Sequence, residues 1–132
     1  MKYLILAAFL FIAVVAWAMS RGIDDDGFPN LGVEAFETFI AQHDSTTILD
    51  VRTPAEFAEG HLPGAKLIDV NSSDFMVIAL KTLPQNKPVA VYCRSGRRSA
   101  NAARMLTEAG WRVANLKGGY LAWTAEGKPV EK

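Results

Sequence analysis

The sequence predicts an α/β fold with a mainly parallel sheet and helices on both faces. Short apolar runs alternate with amphipathic runs from residue 33 onward, the pattern of repeated βα units. One run, Pro88-Val89-Ala90-Val91-Tyr92, is apolar at every position, which suits a strand buried on both faces of a parallel sheet. Helix starts and stops, such as Thr53-Pro54-Ala55-Glu56 and Gly110, fall between these runs.

Residues Tyr3 to Met19 form an uncharged apolar run preceded by Lys2, the pattern of an export signal or a single membrane anchor. Ala16-Trp17-Ala18 offers a cleavage site, while no glycine or proline breaks the run before it, so cleaved signal and anchor both stand. Asp24, Asp25 and Asp26 follow the run, and with Lys2 inside, the charge bias places the domain outside the cytoplasmic membrane, in the periplasm of a bacterium-like cell. The expected organisation is a signal or anchor over 1–23, a linker over 24–32, one domain over 33–127 and a tail over 128–132.

From Val33 a helix is expected, with Phe36, Phe39 and Ile40 on one side and Glu34 and Glu37 on the other. Thr46 to Val51 reads as a strand. Thr53-Pro54-Ala55-Glu56 is a capping box with proline at the first helical position, so a short helix starts there and stops at Gly60. Gly60 to Ala65 is loop and Lys66 to Val70 a second strand. Ser72 or Ser73 caps a helix to about Lys81, and a turn around Pro84 leads into the strand that ends at Tyr92. Ser99 caps a helix to Ala109, with Ala102, Ala103 and Leu106 on its buried stripe and Gly110 as its left-handed stop. Trp111 to Leu116 is the last strand, and Tyr120 to Ala125 a final helix.

The chain has 132 residues, half of them hydrophobic, and equal numbers of basic and acidic groups, 14 of each. Nothing in that balance points to nucleic acid, whose binders carry a basic excess. There is a single cysteine, so an internal disulfide or a Cys-x-x-Cys redox pair is excluded. A metal site would rest on His43 and His61, which are distant from each other and from Cys93, and none is expected.

Cys93 is the candidate nucleophile. It stands at the carboxyl end of the central strand, where open parallel sheets place their sites. The loop Cys93-Arg94-Ser95-Gly96-Arg97-Arg98 is short and holds a glycine, so successive backbone N–H groups can converge on one point. Three of its residues are arginines, which stay charged. A free thiol ionises near pH 8.5, roughly, and these features favour the thiolate. A buried, inert cysteine is the alternative, and arginine, serine, glycine and two more arginines directly after it argue against that.

These residues resemble those of a single-domain rhodanese, a family of sulfurtransferases. The resemblance rests on Asp50-Val51-Arg52 with Glu56-Phe57 and Gly60-His61-Leu62-Pro63-Gly64-Ala65, on the six-residue loop at Cys93, and on Leu116-Lys117-Gly118-Gly119-Tyr120 with Trp123. It spans about residues 33 to 127. Lys117 departs from the family's frequent acidic residue. The resemblance implies a rhodanese-like sheet and a Cys93 that takes the outer sulfur of thiosulfate as a persulfide, then passes it to cyanide or a thiol. It implies that the N–H groups of Arg94, Ser95, Gly96, Arg97, Arg98 and Ser99 cradle the persulfide, that the arginine side chains orient the anionic donor, and that no metal or organic cofactor is needed.

Asp50, Arg52, Glu56 and His61 read as supporting residues. Arg52 and Glu56 are spaced to pair within one turn, Asp50 is in place to pair with a loop arginine, and His61 reads as a hydrogen-bonded structural residue. Gly118, Gly119 and Trp123 read as turn and packing residues. Two rival functions follow from the resemblance. Cysteine phosphatases on this fold need Cys-x5-Arg, whereas Ser99 stands at that position and Arg98 one before it. A module that delivers sulfur to a protein partner is the other, and a membrane anchor through residues 3–19 would favour it.

Overall fold

The computed structural model describes residues 27–42 and 45–132. The expected export segment and His43 lie outside the described residues. Among the described residues no helix is long and apolar enough to cross a membrane.

The order of elements is β1 (Asn30–Leu31), α1 (Val33–Ala41), β2 (Thr47–Asp50), α2 (Pro54–Glu59), β3 (Lys66–Leu67), α3 (Phe75–Thr82), β4 (Val89–Tyr92), α4 (Arg97–Glu108), β5 (Val113–Leu116) and α5 (Gly119–Ala125). The strands form one sheet in the order β1-β5-β4-β2-β3, and every pairing is parallel. β4 lies at the centre, which is why its sequence is apolar throughout: all four residues are buried.

The pleat sends alternate β4 side chains into two cores. Val89, Val91 and Cys93 belong to one, with Phe75, Ala79 and Leu83 of the α3 region and Ala102, Ala103 and Leu106 of α4. Ala90 and Tyr92 belong to the other, with Val33, Phe36 and Phe39 of α1 and Trp123 of α5. Ala102 and Ala103 let α4 lie close against the strand. After the edge strand β3 the chain crosses over β2 and resumes as β4 on β2's other side. The carboxyl ends of β2 and β4 therefore frame the crevice where such sheets bind ligands.

The capping box at the start of α2 forms as expected: Thr53 Oγ1 accepts from the Glu56 N–H at 3.2 Å, and the Glu56 carboxylate accepts from the Thr53 N–H at 3.3 Å. Gly110 takes φ +103 after α4. Several boundaries differ from expectation, β5 among them, which starts at Val113 rather than Trp111. α4 starts at Arg97 rather than after Ser99, because Gly96 at φ 97 and ψ −6 turns the chain straight from the loop into the helix. α3 starts at Phe75, since Ser72 spends its hydroxyl on the Asp74 carboxylate and its carbonyl on a turn to Phe75. β3 is only two residues long, although Ile68 and Val70 still donate to the Asp50 and Val51 carbonyls.

Two segments that read as linker and tail are built into the fold. Asn30 and Leu31 pair with Asn115 and Leu116 as an edge strand. At the other end, His61 and Glu131 exchange backbone hydrogen bonds at 2.9 and 2.8 Å, and Trp123 Nε1 donates to the Pro129 carbonyl at 2.8 Å.

Candidate active site

Cys93 follows β4 directly and is fully buried at the floor of the loop. The Gly96 N–H donates to its Sγ at 3.1 Å and the Ser99 hydroxyl at 3.3 Å. The N–H groups of Ser95 and Ser99 face the same sulfur. Burial pushes the Cys93 thiol up, but these hydrogen bonds, led by the Ser99 side chain, outweigh it and leave the thiol below its ordinary value. The arrangement is a cradle of donors around one sulfur, closed by the first turn of α4.

The outer side of the loop is fastened as firmly as its inner side. The Tyr120 N–H donates to the Cys93 carbonyl at 2.8 Å and the Leu121 N–H to the Arg94 carbonyl at 3.1 Å. With carbonyls turned outward onto the N-terminus of α5, the intervening N–H groups are free to turn inward. Gly119 makes this contact possible: a Cβ there would lie 2.6 Å from the Cys93 oxygen and from the Arg94 carbonyl atoms. Gly96 is held less closely, with its absent Cβ 3.0 Å from the Leu116 oxygen.

The three loop arginines have different positions. Arg94 and Arg97 are exposed. Arg98 donates two parallel hydrogen bonds to Glu56, at 2.8 and 2.9 Å, which hold its charge more firmly than usual. The capping box that starts α2 thus also aims Glu56 at α4, so one carboxylate serves both helices.

The supporting residues pair differently from expectation. Arg52 does not pair with Glu56, and Asp50 does not pair with a loop arginine. Arg52 precedes the cap of α2, so it is not on the helix, and its extended chain folds back onto Asp50. Arg52 Nε and Nη2 reach the Asp50 carboxylate at 3.0 and 2.7 Å, and Nη2 also donates to the Gly60 carbonyl at 2.6 Å. Its guanidinium lies 4.3 Å from the Tyr120 ring centre. The Tyr92 hydroxyl donates to Asp50 at 2.6 Å and accepts from the Leu62 N–H at 3.0 Å. Burial, then the Asp50 carboxylate, push that hydroxyl far above its ordinary value, so it stays a donor. The network binds β2, β4, the Gly60 loop and α5 into one frame beneath Cys93.

His61 stands outside that frame. Its ring stacks on Phe57 with centroids 3.7 Å apart, Nδ1 donates to the Phe57 carbonyl at 3.0 Å, and Nε2 lies 3.7 Å from the Glu131 carboxylate. These contacts tie the α2 end to the C-terminal residues. The sequence reading missed Asn115, whose amide reaches the Gly96 carbonyl at 3.1 Å. A polar residue inside an apolar strand run is the signal that marks it.

A cleft of about 280 Å³ beside the loop is lined by Arg52, Glu56, Glu59, Arg94, Tyr120 and Leu121. A larger cavity of about 590 Å³, lined by Pro29, Phe39, Trp111 and neighbours, touches no loop residue. The smaller one borders the Cys93 loop through Arg94, the residue next to the cysteine.

The Arg98 hydrogen bond, ahead of the Thr53 contacts, lowers the Glu56 carboxyl from 4.5 to about 2. A carboxyl depressed in the folded state adds stability above its unfolded value and loses it as pH falls. The α2–α4 link is therefore expected to weaken between pH 4.5 and about 2. Urea melts across that window should show a steeper loss of stability for the wild type than for Glu56→Gln; parallel curves would rule the link out.

The sequence matches the family described as Rhodanese-like domain over residues 33–126. It is 36% identical over 98 residues to a sulfurtransferase of Allochromatium vinosum, covering 74% of this chain and 89% of that one. It is 35% identical over 94 residues to thiosulfate sulfurtransferase 18 of Arabidopsis thaliana, covering 62% and 69%. Among solved structures, a rhodanese-related protein from Thermoplasma volcanium superposes with a TM-score of 0.67 at 30% identity, covering 77% of this chain and 96% of that one.

Proposed function

The chain belongs to the rhodanese-like domain family, and from that premise we propose that it is a sulfurtransferase working through a persulfide on Cys93. The observation that carries the reading is a thiol lowered below its ordinary value inside a ring of hydrogen-bond donors. The family and the sulfurtransferase names of its relatives support a role in sulfur transfer. The donor, acceptor and intermediate are our proposal.

In the first half-reaction the Cys93 thiolate attacks the outer sulfur of thiosulfate. A new sulfur–sulfur bond forms, the old one breaks, and its electron pair leaves on sulfite. The cradle that held the thiolate then holds the persulfide anion, so the negative charge is met by the same fixed donors before and after transfer. In the second half-reaction cyanide or a thiolate attacks the outer sulfur, and Cys93 leaves as thiolate. Sγ is buried at the floor, and an added sulfur sits about 2 Å beyond it, so an acceptor meets the outer atom. No proton has to be moved in either half with thiosulfate and cyanide, so no general base is required.

Incubation with thiosulfate should add the mass of one sulfur atom to the protein, and cyanide should remove it as thiocyanate. A protein that stays unmodified with thiosulfate and with other sulfane donors would end the reading.

A phosphatase reading is disfavoured by the position of Ser99. A Cys-x5-Arg loop would need arginine there, and here the Ser99 side chain donates to Sγ while Arg98 is engaged with Glu56. We expect hydrolysis of p-nitrophenyl phosphate to stay at background. Robust turnover would overturn the argument from loop length.

Sulfur delivery to a protein thiol is a second form of the proposal, and the cleft bordered by exposed Leu121 and Arg94 supports it. The apolar run over residues 3–19 and the acidic residues after it support an export-signal or anchor role, with the domain in the periplasm. Cell fractionation tests this, and a purely cytoplasmic protein would refute it.

A further inference from the structure

Asn115 is 2% exposed in β5, where its strand neighbours Val113, Ala114 and Leu116 are apolar. Its Nδ2 donates to the Gly96 carbonyl at 3.1 Å and to the Asn30 side-chain oxygen at 2.8 Å. Its own Oδ1 is buried with no hydrogen-bond partner. An orphaned acceptor in the interior is rare and destabilising, and an aliphatic residue would fill the place without it. What only the carboxamide supplies here is a pair of N–H donors, one of them aimed at the loop.

The group it holds is the hinge of the cradle. Gly96 lies between the loop and α4 in the left-handed region, and its N–H donates to Cys93 Sγ at 3.1 Å. Its carbonyl also accepts from the Ala100 N–H at 3.1 Å, as the first bond of α4. A glycine has no side chain to limit rotation of the peptides on either side of it. Asn115 gives that carbonyl a second donor from the sheet, where a Cβ at position 96 would press on the Leu116 oxygen at 3.0 Å and no side chain can do the holding.

We propose that Asn115 is a positioning residue, which pins the Gly96 carbonyl to β5 and so aims the Gly96 N–H at Cys93 Sγ. The proposal rests on reading Cys93 as the nucleophile, and it makes an edge strand part of the active site. Asn30 of β1 holds Asn115, Asn115 holds Gly96, and Gly96 holds the sulfur. The charged groups around the thiol stay in place in the variants below. They are Arg98 of α4, with Glu56 of α2 and Asp69 after β3 in its field, the exposed Arg94 and Arg97, and Lys117 at the turn after β5.

The test is the titration of the single cysteine in Asn115→Leu, followed by the ultraviolet absorbance of the thiolate and by the pH dependence of alkylation. The midpoint is expected to rise by about one pH unit, which is a tenfold loss of thiolate below the midpoint. Melting temperature should hold or rise, because the orphaned acceptor is gone. Asn30→Ala, which keeps the bond to Gly96, should shift the midpoint by less than half as much. A folded Asn115→Leu protein with the wild-type midpoint would overturn the proposal. Should that variant not fold, Asn115→Ser is too short to reach Gly96 and is read by NMR. The Gly96 amide resonance should follow the thiol titration in the wild type and lose that response in the variant, and an unchanged response would overturn the proposal equally. None of these readouts needs sulfur transfer. Failure of the wild type to take sulfur would therefore count against the proposed function alone.

Discussion

Cys93→Ser is expected to abolish uptake of sulfur from thiosulfate, with turnover falling by about 10³-fold or more. Serine places a hydroxyl where the thiol stood and can use the same Gly96 and Ser99 donors. What it lacks is an accessible anion: a hydroxyl ionises far less readily than a thiol, and the cradle lowers the thiol further. Stability at neutral pH should change by no more than about 1 kcal/mol, because the substitution is nearly isosteric and keeps its hydrogen bonds. Intact mass after thiosulfate, turnover with cyanide, and melting temperature separate these effects. Transfer at the wild-type rate in this variant would sink the mechanism. The comparison has a pH signature as well. A thiol whose folded value is lowered adds stability above its unfolded value and loses it as pH falls through the folded one. The wild type should therefore gain on Cys93→Ser as pH rises toward 9.0, the ordinary value of the thiol.

The largest expected loss of stability lies one layer below the site. Asp50 is completely buried and the Arg52 side chain is 4% exposed, so each charge depends on the other. Asp50→Ala is expected to cost about 3–5 kcal/mol, because it strands a guanidinium in the interior and deprives the Tyr92 hydroxyl of its acceptor. Arg52→Leu should cost a similar amount by stranding the carboxylate. The double replacement Asp50→Ala with Arg52→Leu should cost clearly less than the sum, since neither charge is then left alone. Urea melts of the two singles and the double measure this. Singles within about 1 kcal/mol of the wild type would mean that the pair does not hold the frame. Such a loss would also reach the nucleophile, because Tyr120 packs on Arg52 with its ring and holds the Cys93 carbonyl with its N–H.

The layout of sheet and helices, and the place of Cys93 in it, were legible because they follow from local signals. An apolar strand, a capping box and a glycine stop each act over a few residues, and together they define βα units. Pairing of charges was not legible in the same way. Arg52 and Glu56 have the spacing of a helical pair, but that spacing counts only once both residues are on the helix, and Arg52 precedes the cap. Glu56 meets Arg98 across 42 residues, a contact that exists only after the two helices have packed. β1 escaped notice because two residues between Pro29 and Gly32 carry no periodicity, and its strand character comes from β5 alone. Asn115 escaped for the same reason: its role depends on a loop 19 residues earlier in the chain.

The fastening of the loop onto β5 and α5 also sets an order of events during synthesis. Cys93 is made before the residues that shape its surroundings, since the donors to the Cys93 and Arg94 carbonyls come from Tyr120 and Leu121, and β1 waits 85 residues for Asn115. Contacts of such separation close late, after the local helices have formed. Until then the loop has its local donors from Ser95, Gly96 and Ser99 but lacks the bonds that fasten its carbonyls from outside. The rigidity of the loop, rather than the presence of its donors, is thus what completion of the fold adds around this one thiol.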